Sequence, residues 1–283
     1  DGKYKFNADG NTTRQPWFGC ACCPSNLCRF IPSVPGYLYG VKDNNIYVNL
    51  FAGNTSTIKV NGKDVVLEET TEYPWNGDIK IAVKKSGVKN ANLLVRIPGW
   101  VRNQVVPSDL YKYSDAEKPA YSVTVNGKAV EADLDANKGY LPVKNIKKGD
   151  VIRIHFDMPV RTVVANGKVA DDKGKVAVER GPLVYCAEAV DNDNEPVLRA
   201  VMAKKPAFSL VDNYSIENTE TKGAPAFSVK AIQTSSQVLD QATDGTVSIK
   251  SQKLTLIPYY AWNHRGANQM NVWFYQNLNV LDK

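Results

Sequence analysis

Thr57-Ile58-Lys59-Val60-Asn61-Gly62-Lys63-Asp64-Val65 decides the class of fold. A β-branched run ends in Val60, an Asn-Gly pair follows, and a second apolar run resumes at Val65. That is the pattern of a tight hairpin, because Asn and Gly both tolerate the positive φ that a two-residue turn demands. Asn126-Gly127-Lys128 repeats it, and Asn166-Gly167-Lys168 repeats it less cleanly. Working outward, Ile46-Tyr47-Val48-Asn49-Leu50-Phe51, Ile79-Lys80-Ile81-Ala82-Val83 and Leu93-Leu94-Val95-Arg96-Ile97 alternate or run apolar over short spans bounded by Gly, Pro and Asn. Beyond position 40 no stretch of about a dozen residues carries a sustained helical face with caps. Ser108 to Glu117 offers at most one helical turn. The text reads as all-β.

The 283 residues exceed what one small sandwich occupies. A seam lies after Val151-Ile152-Arg153-Ile154-His155-Phe156, where Met158-Pro159 and then the polar loop Ala170-Asp171-Asp172-Lys173-Gly174 interrupt the strands. Two packed β-sandwiches are expected, over 37–158 and 159–269.

Composition excludes several classes. Apolar residues make up 43% of the chain, and no run approaches the ~20 residues of a bilayer crossing, so no membrane span is expected. Lys and Arg number 35 against 29 acidic residues, a net +6. The basic residues are scattered, and the pairs Lys84-Lys85, Lys147-Lys148 and Lys204-Lys205 sit in turn-like text, so no nucleic-acid partner is expected. The sequence opens at Asp1 with no signal-peptide pattern and reads as part of a longer polypeptide.

Four of the five cysteines fall within nine residues, Cys20-Ala21-Cys22-Cys23-Pro24-Ser25-Asn26-Leu27-Cys28. Cys186, inside the apolar strand Leu183-Val184-Tyr185-Cys186-Ala187, reads as a small buried hydrophobe. For the cluster, disulfides, a structural metal site and an activated thiolate compete. A Cys22–Cys23 bridge fits badly, because neighbouring Cα atoms lie ~3.8 Å apart, below the usual ~4.4–6.8 Å. A complete zinc knuckle fits badly too, since His155 and His264 are far off in sequence. Two adjacent thiolates could still share one metal whose remaining ligands come from elsewhere, and such a thiolate has a lowered pKa and becomes a nucleophile. The residues alone leave metal site and buried thiols equally open.

Trp17-Phe18-Gly19-Cys20-Ala21-Cys22-Cys23-Pro24-Ser25-Asn26, followed by Arg29-Phe30 and Pro35-Gly36-Tyr37, resembles the end of the catalytic barrel in the bacterial β-L-arabinofuranosidase family of glycoside hydrolases. The likeness continues in order through Tyr73-Pro74-Trp75-Asn76-Gly77, Arg96-Ile97-Pro98-Gly99-Trp100, Glu179-Arg180-Gly181-Pro182-Leu183-Val184-Tyr185 and Leu256-Ile257-Pro258-Tyr259-Tyr260-Ala261-Trp262. The resemblance implies a retaining glycosidase whose nucleophile is a zinc-bound cysteine, mapped onto Cys22, with Cys23 as a zinc ligand. It also implies that 1–36 is the last piece of an α-helical barrel, that the 270–283 strand returns to the first sandwich, and that the N-terminal catalytic domain, with the acid/base glutamate and remaining ligands, lies upstream. Cys20 and Cys28 then read as buried or idle thiols, Cys20 being a departure from the family pattern.

The substrate implied is an oligosaccharide or polysaccharide bearing L-arabinofuranosyl units, and plant-glycan substrates favour an extracytoplasmic location. With only two zinc ligands in reach, the chain alone is expected to bind zinc weakly or not at all and to be inactive. The rival readings are a non-catalytic carbohydrate-binding pair of sandwiches, with the tryptophans as a sugar platform, and a purely structural pair. Trp75 and Trp100, beside Pro and Gly at strand ends, read better as core-closing aromatics.

Overall fold

The computed structural model describes residues 22–211, 214–215, 225–234 and 249–276. They form two compact units. The first takes the described residues up to Pro107 with Glu117–Pro159, and the second takes Ser108–Ala116 with the described residues from Val160 onward.

In the first unit α1 (Cys22–Ser33) and α2 (Pro35–Leu38) lead into β1 (Tyr39–Lys42), β2 (Asn45–Val48), β3 (Asn54–Val60), β4 (Lys63–Thr71), β5 (Asp78–Ser86) and β6 (Asn92–Arg96). After β7 (Tyr111–Tyr113), a strand of the second unit, come β8 (Tyr121–Val125), β9 (Lys128–Ala129), β10 (Tyr140–Val143) and β11 (Val151–Phe156). One sheet runs β1-β2-β6-β10 and the other β3-β4-β5-β11-β8-β9. Period-2 alternation buries one face of each: Ile46, Val48, Leu93, Val95, Leu141 and Val143 from the first, and Val65, Leu67, Ile79, Ile81, Ile152, Ile154 and Phe156 from the second. Trp100 is buried, its ring edge-on to Phe156 at 5.8 Å and its Nε1 donating to Tyr73 Oη at 3.2 Å. It closes the core, as its place beside Gly99 suggested.

Turn chemistry behaves as its residues dictate. Asn61 and Gly62 take φ of 49° and 73° between paired Val60 and Lys63, and Asn126 and Gly127 take 50° and 82° between paired Val125 and Lys128. Asn166 makes a different turn. Its Oδ1 accepts from Lys168 N at 3.1 Å and its carbonyl from Val169 N at 2.8 Å, starting a loop.

The second unit adds β12 (Val160–Ala165), β13 (Lys175–Arg180), β14 (Leu183–Glu188), β15 (Ala200–Met202), β16 (Phe208–Val211), β17 (Ala226–Thr234), β18 (Ile249–Pro258), β19 (Met270–Asn271) and β20 (Phe274–Gln276). Pairing runs β13-β14-β18-β17-β15-β20 and back to β13, a closed circuit of six strands. Each strand sends alternate residues into one core: Val176 and Val178, Tyr185 and Ala187, Leu254 and Leu256, Phe227 and Val229, Ala200 and Met202, and Phe274. Small Ala187, Ala200 and Ala231 offset the three large rings, which is how a narrow barrel is filled without voids.

All-β character therefore holds broadly, but the expected architecture is corrected. A six-stranded barrel replaces the second sandwich. No remnant of an α-helical barrel exists among the described residues: helix precedes the strands only as α1 and α2, of 12 and 4 residues, and α1 buries no side chain. The expected return of 270–283 to the first unit is also not seen in its described part. β19 pairs with β14, and β20 with β13 and β15, because Phe274 is a wall of the barrel core. Among the described residues no helix is long and apolar enough to cross a membrane.

Candidate functional site

Cys22 and Cys23 lie on α1, both exposed and free of disulfides, with their Sγ atoms 3.8 Å apart. Ser25 Oγ donates to the carbonyl of Cys22 at 3.2 Å, bracing the local backbone. The helix runs to Ser33 with Pro32 inside it, and α2 follows from Pro35. The apolar side chains of α1 stay more than half exposed: Leu27, Phe30 and Ile31 are 55%, 53% and 63% exposed.

The sulfur spacing bears on the zinc that the family resemblance implies. Two thiolates at ~2.3 Å from a tetrahedral zinc sit ~3.8 Å from each other, and both are soft donors suited to that ion. Cys22 and Cys23 thus fit as two ligands. They do not complete a site, since among the described residues no group of three or more His, Cys, Asp and Glu could hold a metal ion. Cys28 is exposed as well, but it follows Cys23 by five residues and Cys22 by six, so at 3.6 residues per turn it leaves their side of the helix. Cys20 lies outside the described residues.

Cys186 is fully buried among Ala226, Ile257 and Ala261, and burial, with Glu188 and Asp191 adding to it, pushes its thiol far above the usual range. It is a core hydrophobe. His155, on β11, is half-exposed, with Nδ1 2.7 Å from Asp78 Oδ1 and Nε2 3.1 Å from Asp157 Oδ1; the Asp78 contact raises its pKa.

Two buried polar clusters escaped sequence reading. Glu69, 3% exposed, takes hydrogen bonds from Tyr39 Oη at 3.1 Å and Ala52 N at 3.0 Å, and burial lifts its pKa to about 7. The signal was present, because Val65, Leu67 and Glu69 share the inward parity of β4. In the second unit Arg265 bonds the buried Glu188 at 2.6 Å and both oxygens of Asp191, while Tyr214 Oη donates to Asp191 at 2.6 Å. Asn263 N and Asn268 Nδ2 cap the other oxygen of Glu188 at 3.0 and 3.1 Å. These bonds pin the 262–269 loop. Nothing in local periodicity announces a pairing 77 residues apart.

Comparison with known proteins gives consistent results. Residues 45–158 match the model for the beta-L-arabinofuranosidase GH127 middle domain, and residues 160–275 match that for the glycoside hydrolase family 127 C-terminal domain. The non-reducing end beta-L-arabinofuranosidase of Bifidobacterium longum subsp. longum is 31% identical over 271 residues, 92% of this chain and 38% of that protein. A solved GH127 beta-arabinofuranosidase is 46% identical with a TM-score of 0.81, covering 94% of this chain and 40% of that one. The GH127 beta-L-arabinofuranosidase of Geobacillus stearothermophilus T6 is 28% identical with a TM-score of 0.74, covering 94% and 39%. The chain spans about two fifths of the length of these relatives.

Proposed function

Because the chain belongs to glycoside hydrolase family 127, whose middle and C-terminal domains it carries, we propose that it is part of a retaining glycosidase cleaving L-arabinofuranosyl glycans. Cys22 is the nucleophile of this reading and Cys23 a zinc ligand. The observation that carries it is the 3.8 Å sulfur spacing on one exposed helix, the separation two thiolates on a tetrahedral zinc would have.

Cys22 Sγ attacks the anomeric carbon, and the C–S bond forms as the glycosidic C–O bond breaks. The departing oxygen takes its proton from a carboxylic acid outside the described residues. Water, deprotonated by the same carboxylate, then breaks the C–S bond, and two inversions give retention. Zinc, when bound, keeps sulfur ionised at neutral pH. Cys23 would hold the zinc ion beside Cys22. The remaining ligands and the acid/base group come from an N-terminal catalytic domain, so the 283-residue chain alone is inactive. A glycan substrate of plant origin favours an extracytoplasmic location.

The test is turnover of an aryl β-L-arabinofuranoside by folded full-length Cys22→Ser and Cys23→Ser enzymes with zinc content measured alongside. Cys22→Ser keeps zinc and loses turnover on the order of a thousandfold or more, while Cys23→Ser loses zinc first. Near-parental turnover by zinc-loaded Cys22→Ser would end the assignment.

A further inference from the structure

At one end of the first unit the β1–β2 turn, the Asn61 hairpin, the approach to β6 and the loop after β10 enclose an open cavity of about 630 Å³. Six asparagines line it: Asn44, Asn45, Asn61, Asn90, Asn92 and Asn145. Asp43 is the one charged lining residue. Turn geometry accounts for Asn61, Asn90 and Asn145, whose φ values of 49°, 55° and 57° suit asparagine. It does not account for Asn45 and Asn92, which face each other across paired β2 and β6, where asparagine is a poor strand former.

The hydrogen bonds orient these amides. Asn61 Nδ2 donates to Asn44 Oδ1 at 2.6 Å, Asn92 Nδ2 to Asn45 Oδ1 at 2.9 Å, and Asn145 N to Asn92 Oδ1 at 3.0 Å. The carbonyl oxygens of Asn44 and Asn45 are thus occupied, and their NH₂ groups remain as donors. The amides of Asn90 and Asn145 make no side-chain hydrogen bond among the described residues and supply donors and acceptors alike.

A phosphate or carboxylate would meet Asp43 and no lining cation. A divalent cation would find a single carboxylate, with the side-chain carbonyls of Asn44, Asn45 and Asn92 already engaged, whereas such ions gather about 6–8 oxygens. An apolar ligand would find no apolar wall. We infer that this amide-lined cavity binds a neutral polyhydroxylated ligand, a sugar unit of a glycan chain, whose hydroxyl groups both donate and accept. The site rests on first-unit residues alone and stands whether or not Cys22 is a nucleophile. Without a stacking ring, affinity falls in the millimolar range, on the order of 1–10 mM.

The experiment is a titration of the ¹⁵N-labelled chain with an arabinan oligosaccharide, followed by side-chain amide and backbone shifts, in parallel with glycerol and calcium chloride. Saturable shifts of Asn44, Asn45, Asn90 and Asn145 are expected with the oligosaccharide alone. Asn90→Gly/Asn145→Gly, which keeps a backbone glycine tolerates and deletes two amides, weakens binding about tenfold with an unchanged melting curve. Asn44→Ala gives an independent loss. Absence of saturation by the oligosaccharide, equal response to glycerol, response to calcium alone, or undiminished binding by both variants would overturn the inference.

Discussion

Glu69→Gln should make the first unit more stable in neutral and alkaline solution while leaving it nearly unchanged near pH 4.5. Glu69 is 3% exposed, and burial raises its pKa from 4.5 to about 7 despite the hydrogen bonds from Tyr39 and Ala52. A raised folded-state pKa means the folded form holds the proton longer than the unfolded chain. Its contribution is therefore fully present below about pH 4.5 and is lost as pH rises through about 7. At 1.36 kcal/mol per pKa unit, the gap corresponds to about 3 kcal/mol. Glutamine removes the titration and retains the shape, with its Oε1 placed to accept from Ala52 N and its NH₂ facing Tyr39 Oη. Urea unfolding of parent and variant at several pH values from 4.5 to 8.5 reads the difference directly. His155 and every other titrating group are common to both proteins and cancel. The variant should gain on the parent progressively up to about pH 7 and then level off. A difference that stays constant across the range would refute the reasoning.

Gly77→Ala should destabilise by about 3 kcal/mol or more in urea melts, because its Cβ would lie 1.9 Å from the Phe156 carbonyl oxygen, held in β11. Arg265→Met should cost about 3–5 kcal/mol by leaving the fully buried Glu188 and nearby Asp191 without their cation, and Arg265→Lys should recover only part of it. Iodoacetamide should modify Cys22, Cys23 and Cys28 in the native chain but Cys186 only after denaturation, as peptide mapping would read out.

What was legible in the sequence was what is decided locally. The Asn61-Gly62 and Asn126-Gly127 hairpins require only a pair of residues at ease with positive φ. Sandwich and barrel, by contrast, share one local signature. Val176 and Val178, or Leu254 and Leu256, alternate inward in either, and only the parallel pairing of β15 with β20 joins the circuit into a barrel. Ser108 to Glu117 lacked a helical face because Tyr111–Tyr113 is a short strand, whose partner Val163-Val164-Ala165 lies 50 residues on. The Cys22–Cys23 pair was visible as text, yet its sulfur spacing and the divergence of Cys28 come from helical geometry that the cysteine spacing alone does not announce. Glu69 could have been found by parity alone.

The excursion of β7 bears on how the chain can be divided. Residues 108–116 belong with the second unit although sequence on both sides belongs with the first, so the backbone passes from one to the other at 107/108, 116/117 and 159/160. A cut at 159/160, where the two family matches meet, yields no self-sufficient halves. The downstream piece would leave the β12 edge at Val163–Ala165 bare, and would strip Tyr113 from its stack under Arg161 and its hydrogen bond to Glu179. An uncovered strand edge is a template for self-association. Separate expression of that piece should therefore give oligomers unless residues 108–116 are supplied in trans, which makes the two units partners in one folding event.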